Sequence, residues 1–463
     1  MEFLSLQPLR RALHRLSPQE LTDRLHNVRR LSDARGLRLL DDAGLPRTIE
    51  LALVPWLLTP VQLRFFCAVT RQVVDGLRVL PRLYASEAGV RDVLGLDEAQ
   101  AAWMRLATHP RSRPLAVMGR LDSTATFSHA AWRDTFQLLE PNAVAVGGVH
   151  YAPTACSIIL DVLGDLLARA YPGRHVAPPP DPRQMLLEEL AGVAQRLGRR
   201  LRTVALMENR DYTTGTDEFG ALARDLSQDG VTAFVADPRQ FRVSRGRLMV
   251  RDREVDLIYR DCELSELTEI EAGGARLPAM RHAVREGRLV SGLLWEFDHK
   301  SCWEVFTDAR YARAFTPAQR RLFARHIPWT RLVRHTITRD PRGARADLVR
   351  YSRAHQASLV LKPNALYGGQ GVIVGRIVTR AVWERTLAKA LRGDVRYVVQ
   401  ELARIATHRF PVLARGRTRE VERCVVSGFF FTSRRAGLVG RFSKDPVVNV
   451  SRGGGLLSAL MVA

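Results

Sequence analysis

Lysine is nearly absent from this chain. Of 70 basic residues only four are lysine, Lys300, Lys362, Lys389 and Lys444, and the rest are arginine. Cysteine is also sparse. Cys67, Cys156, Cys262, Cys302 and Cys424 stand far apart with no C-x-x-C pair, which argues against a zinc site and for reduced thiols in a cytoplasmic protein. No run approaches 18 uninterrupted apolar residues. The N-terminus lacks the basic, apolar and small-residue regions of a secretory signal, so a soluble, intracellular chain with no membrane partner is expected. There is no helix-opening GK[ST] and no G-x-G-x-x-G, which excludes a Walker P-loop and disfavours a Rossmann dehydrogenase. Acid is in deficit, leaving a net charge of +22. Such a field attracts anions, and a nucleic-acid partner would show as a steeply salt-dependent affinity. The arginines are nevertheless scattered, with no basic tail and no aromatic-interleaved stripe, which argues against nucleic acid.

What is present centres on Ser358–Thr379. Leu359-Val360-Leu361 reads as a buried strand ended by Lys362. A turn-forming segment follows, with Pro363, Asn364, Gly368, Gly369 and Gly371, and then the β-branched run Val372-Ile373-Val374. Glycines let a backbone approach an anion closely and turn its N–H groups inward. A lysine at the strand end adds a compact, mobile charge suited to a nucleotide phosphate. The same stretch also reads as a hairpin with a surface lysine, but the rarity of lysine weighs against that.

Residues 1 to about 110 read as helical. Pro18-Gln19-Glu20-Leu21 opens one helix, Thr59-Pro60 caps another running through Val61 to Val79, and Leu96-Asp97-Glu98 starts a third. Pro114–Met118 reads as a strand followed by Gly119-Arg120-Leu121-Asp122, and Phe136–Leu139 as a second strand ending in Glu140-Pro141-Asn142. Two carboxylates and an amide at neighbouring strand ends make an oxygen-rich cluster of the kind magnesium takes, together with phosphates. Arg120 shares a strand face with Asp122. Taken alone, the set is equally a structural ion pair and a polar turn. Asp122 and Glu140 lie 18 residues apart, farther than a tight hairpin requires. A proline-rich stretch, 172–182, reads as a linker. Residues 201–260 alternate strand, helix and strand, which implies parallel pairing. Lys300 precedes a helix, Ser301 to Thr307. After the glycine loop come a helix, Arg380 to Leu391, and a strand, Tyr397–Leu402, carrying Gln400 and Glu401.

The order of these motifs resembles the circularly permuted ATP-grasp family, including its glutathionylspermidine synthetase-like members. GRLD at 119–122 and LLEPN at 138–142 come early, an α/β segment follows, and Lys300, KPNALYGGQGV at 362–372, QEL at 400–402 and the closing NVSRGGG come last. The resemblance covers roughly 110–463. It implies an α/β (α+β) permuted ATP-grasp fold with a Rossmann-like pre-ATP-grasp segment. The implied division is a helical N-terminal region, 1–110; a metal-binding half, 111–199; the Rossmann-like segment, 200–297; and a nucleotide-binding half, 298–463.

By the same resemblance Lys300 and Lys362 contact ATP phosphates. Tyr367, Gly368, Gly369, Gln370 and Gly371 form a phosphate lid, and Gln400, Glu401 and Leu402 flank adenine and ribose. Asp122, Glu140 and Asn142 bind Mg²⁺, and Arg120 is the catalytic residue that stabilises the transferred phosphoryl group. The implied activity is an ATP-dependent carboxylate–amine ligase that forms an amide through an acyl phosphate, with small-molecule carboxylate and amine substrates. The alternative is a non-catalytic ATP-binding protein on the same scaffold. The apolar segment Ala143–His150, AVAVGGVH, stands where a more polar loop would touch the carboxylate.

Overall fold

The computed structural model describes residues 2–41, 43–108, 116–211, 215–216, 218–366, 368–393, 395–414, 416–450 and 453–463. A seven-stranded sheet is assembled from distant stretches of chain. Its order is Glu50–Leu51, Gly455–Leu457, Ala436–Ser443, Arg417–Phe431, Gly119–Thr124 and Gln137–Asn142, with Ala406–Ala414 also pairing to Arg417–Phe431. Leu121, Phe429 and Leu438 face one another across three of these strands. All three are buried. Phe429 packs on Phe66 of helix Pro60–Leu77 with ring centroids 4.5 Å apart. That row fixes the apolar side of the sheet and leaves the alternate residues for the opposite face.

The expected strand at 114–118 is displaced. Pro114 and Leu115 lie outside the described residues, Ala116–Met118 are not in a strand, and the strand proper is Gly119–Thr124. Arg120 and Asp122 therefore sit within a paired strand. The second strand also runs further than expected, to Asn142. The helix starts at Ser17, Thr59 and Asp97 are capped as their sequences require, each with a reciprocal capping box. The N-terminal region adds short strands as well. Glu50–Leu51 and Trp56–Leu58 pair in parallel with the final strands Gly455–Leu457 and Ala459–Val462.

Thr203–Met207, Thr232–Ala236, Leu257–Arg260 and Leu289–Val290 form the expected parallel sheet, with the first and third adjacent at its centre. A third, antiparallel sheet orders Thr330–Leu332, Tyr397–Glu401, Leu359–Pro363 and Ile373–Val374. Helix Arg380–Arg392 contributes Trp383 and Leu387 to a core shared with Leu359, Leu361 and Val399 and separate from the main one. Helix Tyr151–Ala170 is long and apolar enough to cross a membrane by length and composition, but most of it is buried in the protein.

The third sheet is tied to helix Cys302–Thr307 by Glu304, which is fully buried. Its carboxylate accepts from the Leu332 N–H at 2.7 Å, from Arg334 at 2.6 and 3.1 Å and from Arg310 at 3.1 Å. Removing one partner of a buried, hydrogen-bonded ion pair leaves the others uncompensated. Glu304→Ala should therefore lower stability by roughly 3–5 kcal/mol in chemical denaturation. A loss below ~1 kcal/mol, the range of an exposed pair, would show that this carboxylate does not tie the helix to the sheet.

Candidate active site

Cross-strand partners in an antiparallel sheet share a face. Glu140 is opposite Asp122, and Asn142 is opposite Arg120. On the next strand Gly428 is opposite Asp122 and Phe430 opposite Arg120. One strand further, Arg441 is opposite Val426. Since alternate residues share a face, Glu140, Asn142, Asp122, Arg120 and Arg441 project from the same side of the sheet. The 18-residue separation in sequence is closed by direct pairing, with a bulge between Asp122 and Ser123 that leaves Leu139 as the extra residue. The Leu139 carbonyl accepts from Trp303 Nε1 at 3.3 Å and from Gln400 Nε2 at 3.4 Å.

Asp122 is buried between two guanidiniums. Arg120 Nε donates to Oδ1 at 2.7 Å and Arg120 Nη2 to Oδ2 at 3.3 Å, while Arg441 Nη2 meets Oδ2 at 2.6 Å. Burial alone would raise the Asp122 pKa, but the two arginines outweigh it and hold the carboxyl at about 2. Gly428 makes the arrangement possible. A Cβ there would stand 2.5 Å from Arg120 Cδ and 2.9 Å from Cγ, so the missing side chain is the space across which Arg120 lies.

Lys300 is buried, its Nζ 3.5 Å from Glu140 Oε2 and 2.6 Å from the Leu366 carbonyl at the start of the glycine loop. Lys362 lies close by. Burial, with the positive charge of Lys300, lowers its pKa to about 8 although Glu140 and Asp122 oppose the shift. The loop between them turns through Gly368, Gly369 and Gly371, all with left-handed φ of +66 to +70°, which ordinary L-residues adopt at a cost. Gln370 is exposed, and Tyr367 lies outside the described residues. The expected hairpin is present, with Val360 paired to Val374 and Leu361 to Ile373.

The remaining sequence candidates are engaged with protein atoms. Gln400 is buried and donates to Thr330 Oγ1 at 2.9 Å as well as to Leu139. The Glu401 and Leu402 N–H groups donate to the Trp329 and Ser358 carbonyls at 2.8 and 2.9 Å. The Asn142 amide nitrogen is buried with no hydrogen-bond partner among the described residues. Glu140 and Asn142, two apart on one face, offer the hard-oxygen pair that a magnesium ion takes alongside phosphates. No group of three or more His, Cys, Asp or Glu among the described residues is placed to hold a metal.

Four residues escaped the sequence reading. Arg441 and Gly428 are two; a charge and a glycine inside the apolar strands GLVGRFS and CVVSGFFF were the available signals. Glu218 and Asp298 are the others. Glu218 accepts from the N–H groups of Gly148 and His150 at 2.5 and 3.0 Å, and Asp298 from that of Ala143 at 2.5 Å. Arg120 Nη1 donates to the Gly147 carbonyl at 2.5 Å. The apolar segment Ala143–His150 is thus fastened through its backbone. Asp298 belongs to an acidic wall with Asp261, Glu263 and Glu266. Glu296, beside them, is ion-paired to the buried Arg260. Burial, reinforced by neighbouring carboxylates, raises Asp261, Glu266 and Asp298 to about 7 each.

No family model matches the chain, and no curated protein is similar to it in sequence. Its fold, however, is similar to that of a glutathione synthetase like-effector from Globodera pallida, at a TM-score of 0.63 and 10% identity over 99% of both chains. A RimK domain ATP-grasp protein from Sphaerobacter thermophilus aligns with 54% of this chain and 91% of its own at 12% identity, with a TM-score of 0.26. The chain therefore shares the fold of the Globodera pallida effector over 99% of its length. The first 110 residues, which lie outside the motif resemblance, are part of it.

The acidic wall makes a pH prediction. Glu266 titrates near 7 in the folded protein against an ordinary 4.5. The folded state then holds more protons than the unfolded one between these values, so this group's contribution to stability falls as pH rises from about 4.5 to about 7 and is flat above. Glu266→Gln removes the penalty and keeps the acceptor for the Glu263 N–H, now 2.6 Å away. The variant should melt higher than the parent at pH 8, by on the order of 1–3 °C, and at the same temperature at pH 5. Equal melting temperatures at both pH values would show that Glu266 titrates as an ordinary exposed acid.

Proposed function

We propose that the chain is an ATP-dependent carboxylate–amine ligase acting on small molecules. The observation that carries this is the convergence of Lys300, Lys362 and the glycine loop on Glu140, with Arg120 on the same sheet face as Glu140. Phosphoryl transfer asks a protein for charge neutralisation and in-line positioning more than for a nucleophile. Lys300 and Lys362 would hold phosphate oxygens, and the left-handed glycines would direct backbone N–H groups at them. Glu140 and Asn142 are the residues to hold Mg²⁺, which when bound supplies positive charge to the phosphate oxygens. The substrate carboxylate oxygen would take the terminal phosphoryl group as ADP leaves. The amine would then attack the acyl carbon, expelling phosphate and losing a proton as the amide forms. Arg120 stands where it can share the charge that develops on the phosphoryl group.

The alternative, ATP binding without turnover, is favoured by one observation. The segment Ala143–His150 is apolar, and several of its backbone groups are already bonded to Asp298, Arg120 and Glu218, so it presents little to a carboxylate substrate. ADP release against pooled amino acids, polyamines and small carboxylates separates the two readings.

Lys362 provides a test of nucleotide binding itself. With its pKa at about 8, the ammonium is charged at pH 7 and neutral above pH 9. ATP affinity should therefore weaken as pH rises through 8, toward roughly tenfold, the worth of one charge-assisted contact. Lys362→Ala should bind weakly at pH 7 and show no such dependence. Glu140→Gln should keep most ATP affinity and lose magnesium-dependent turnover. Full turnover in Glu140→Gln, or a pH-independent affinity in the parent that Lys362→Ala leaves unchanged, would remove those residues from the site.

A further inference from the structure

Arg441 has no assigned role, yet it is the second cation on Asp122. It reaches that carboxylate from beyond the intervening strand, where it stands opposite Val426. Its Nε is buried with no hydrogen-bond partner among the described residues, and a buried donor of that kind asks for an acceptor. Among the described residues the carboxylates ion-paired to Arg120, Arg441 and Lys300 are Asp122 and Glu140, with Glu218 acting on Arg120 from farther off. The balance suits a polyanion. Asp122, by contrast, suits a metal poorly. Both its oxygens are already met by guanidinium N–H groups, and a divalent cation there would sit against two fixed positive charges.

We propose that Asp122 is a positioning residue that holds Arg120 and Arg441 side by side as a double fork for the terminal phosphoryl group of ATP, and that Arg441 is a substrate-binding residue of this site. The inference rests on the reading of the cluster as a nucleotide site. Two planar guanidiniums oriented by one carboxylate can each offer a donor to the same tetrahedral oxyanion, which a lysine point charge cannot do in register.

The test measures ATP and ADP affinity by calorimetry on the full chain with Mg²⁺, and Mn²⁺ affinity by electron paramagnetic resonance in the presence of ADP. ATP and ADP differ only in the group that Arg441 is proposed to hold. Arg441→Gln should lower the ATP affinity relative to that for ADP by roughly tenfold or more. Arg441→Lys, which keeps the charge on Asp122 and so protects the fold, should lose part of that ratio at an unchanged melting temperature. Asp122→Asn should lose the ratio too, while its Mn²⁺ affinity stays at the parent value and that of Glu140→Gln falls. An unchanged ratio in both Arg441 variants, an equal loss of ATP and ADP affinity, or an Asp122→Asn protein that loses Mn²⁺ as Glu140→Gln does, would overturn the inference while leaving the nucleotide site standing. A parent protein that binds neither nucleotide would overturn both.

Discussion

Leu121, Phe429 and Leu438 stand in a row across three strands drawn from widely separated parts of the chain. Their burial under the Phe66 helix sets the strand register, and the register sets everything on the opposite face. A slip of one residue would turn Asp122 into the aromatic core and Leu121 toward Glu140. The penalty for burying an unpaired carboxylate makes that slip costly, so hydrophobic packing on one side enforces the charge arrangement on the other. Within that register the glycine at 428 leaves the space that Arg120 crosses beside Asp122, while Arg441 meets the same carboxylate from the strand on the other side.

The lobe that carries Lys362 has its own core and meets the large sheet partly through polar contacts. The bulged Leu139 carbonyl receives both Trp303 and Gln400, and Lys300 spans from Glu140 to the Leu366 carbonyl. A bulge beside a site re-aims the groups next to it. Here it turns a carbonyl out of the ladder as an acceptor for Gln400 of the other lobe and for Trp303 of the main core, one residue before Glu140. Gln400 is then as much a joint between lobes as a neighbour of any nucleotide. That dual use explains why a buried polar residue stands in an otherwise apolar strand.

Much of this architecture was legible in the sequence because it rests on local rules. Apolar runs bounded by turn residues gave the strands at 203–207 and 359–361, and Pro18-Gln19-Glu20, Thr59-Pro60 and Asp97-Glu98 announced the helices they open. Lysine scarcity singled out Lys300 and Lys362, which the structure brings to the same carboxylate. What was not legible depended on distant partners. Gly119–Asp122 reads as the end of a strand, and only the pairing of Leu121 with Phe429 and of Asp122 with Gly428 makes Gly119–Thr124 a central strand. Glu50–Leu51 and Trp56–Leu58 are strands because the last residues of the chain lie beside them. Arg441 was visible as a charge in an apolar strand, but its meaning required Asp122, to which it is ion-paired from two strands away.

The net charge of +22 describes the whole chain poorly at the place where chemistry is proposed. Arginine supplies nearly all of the positive charge, and an arginine cannot be neutralised by burial as a lysine or an acid can. Arg120 and Arg441 are matched by a carboxylate that remains ionised, Asp122, held at about 2. Acids left without such a partner respond in the other direction, and Asp261 and Asp298 rise to about 7 within the same molecule. The two classes of carboxylate flank Glu140 and the adjoining apolar segment. On one side lies a strongly cationic face with its counter-charge fixed, and on the other a wall of acids that gain or lose protons near neutrality. That division follows from which acids accept hydrogen bonds from a guanidinium, and it gives the region opposite electrostatic characters that the total charge conceals.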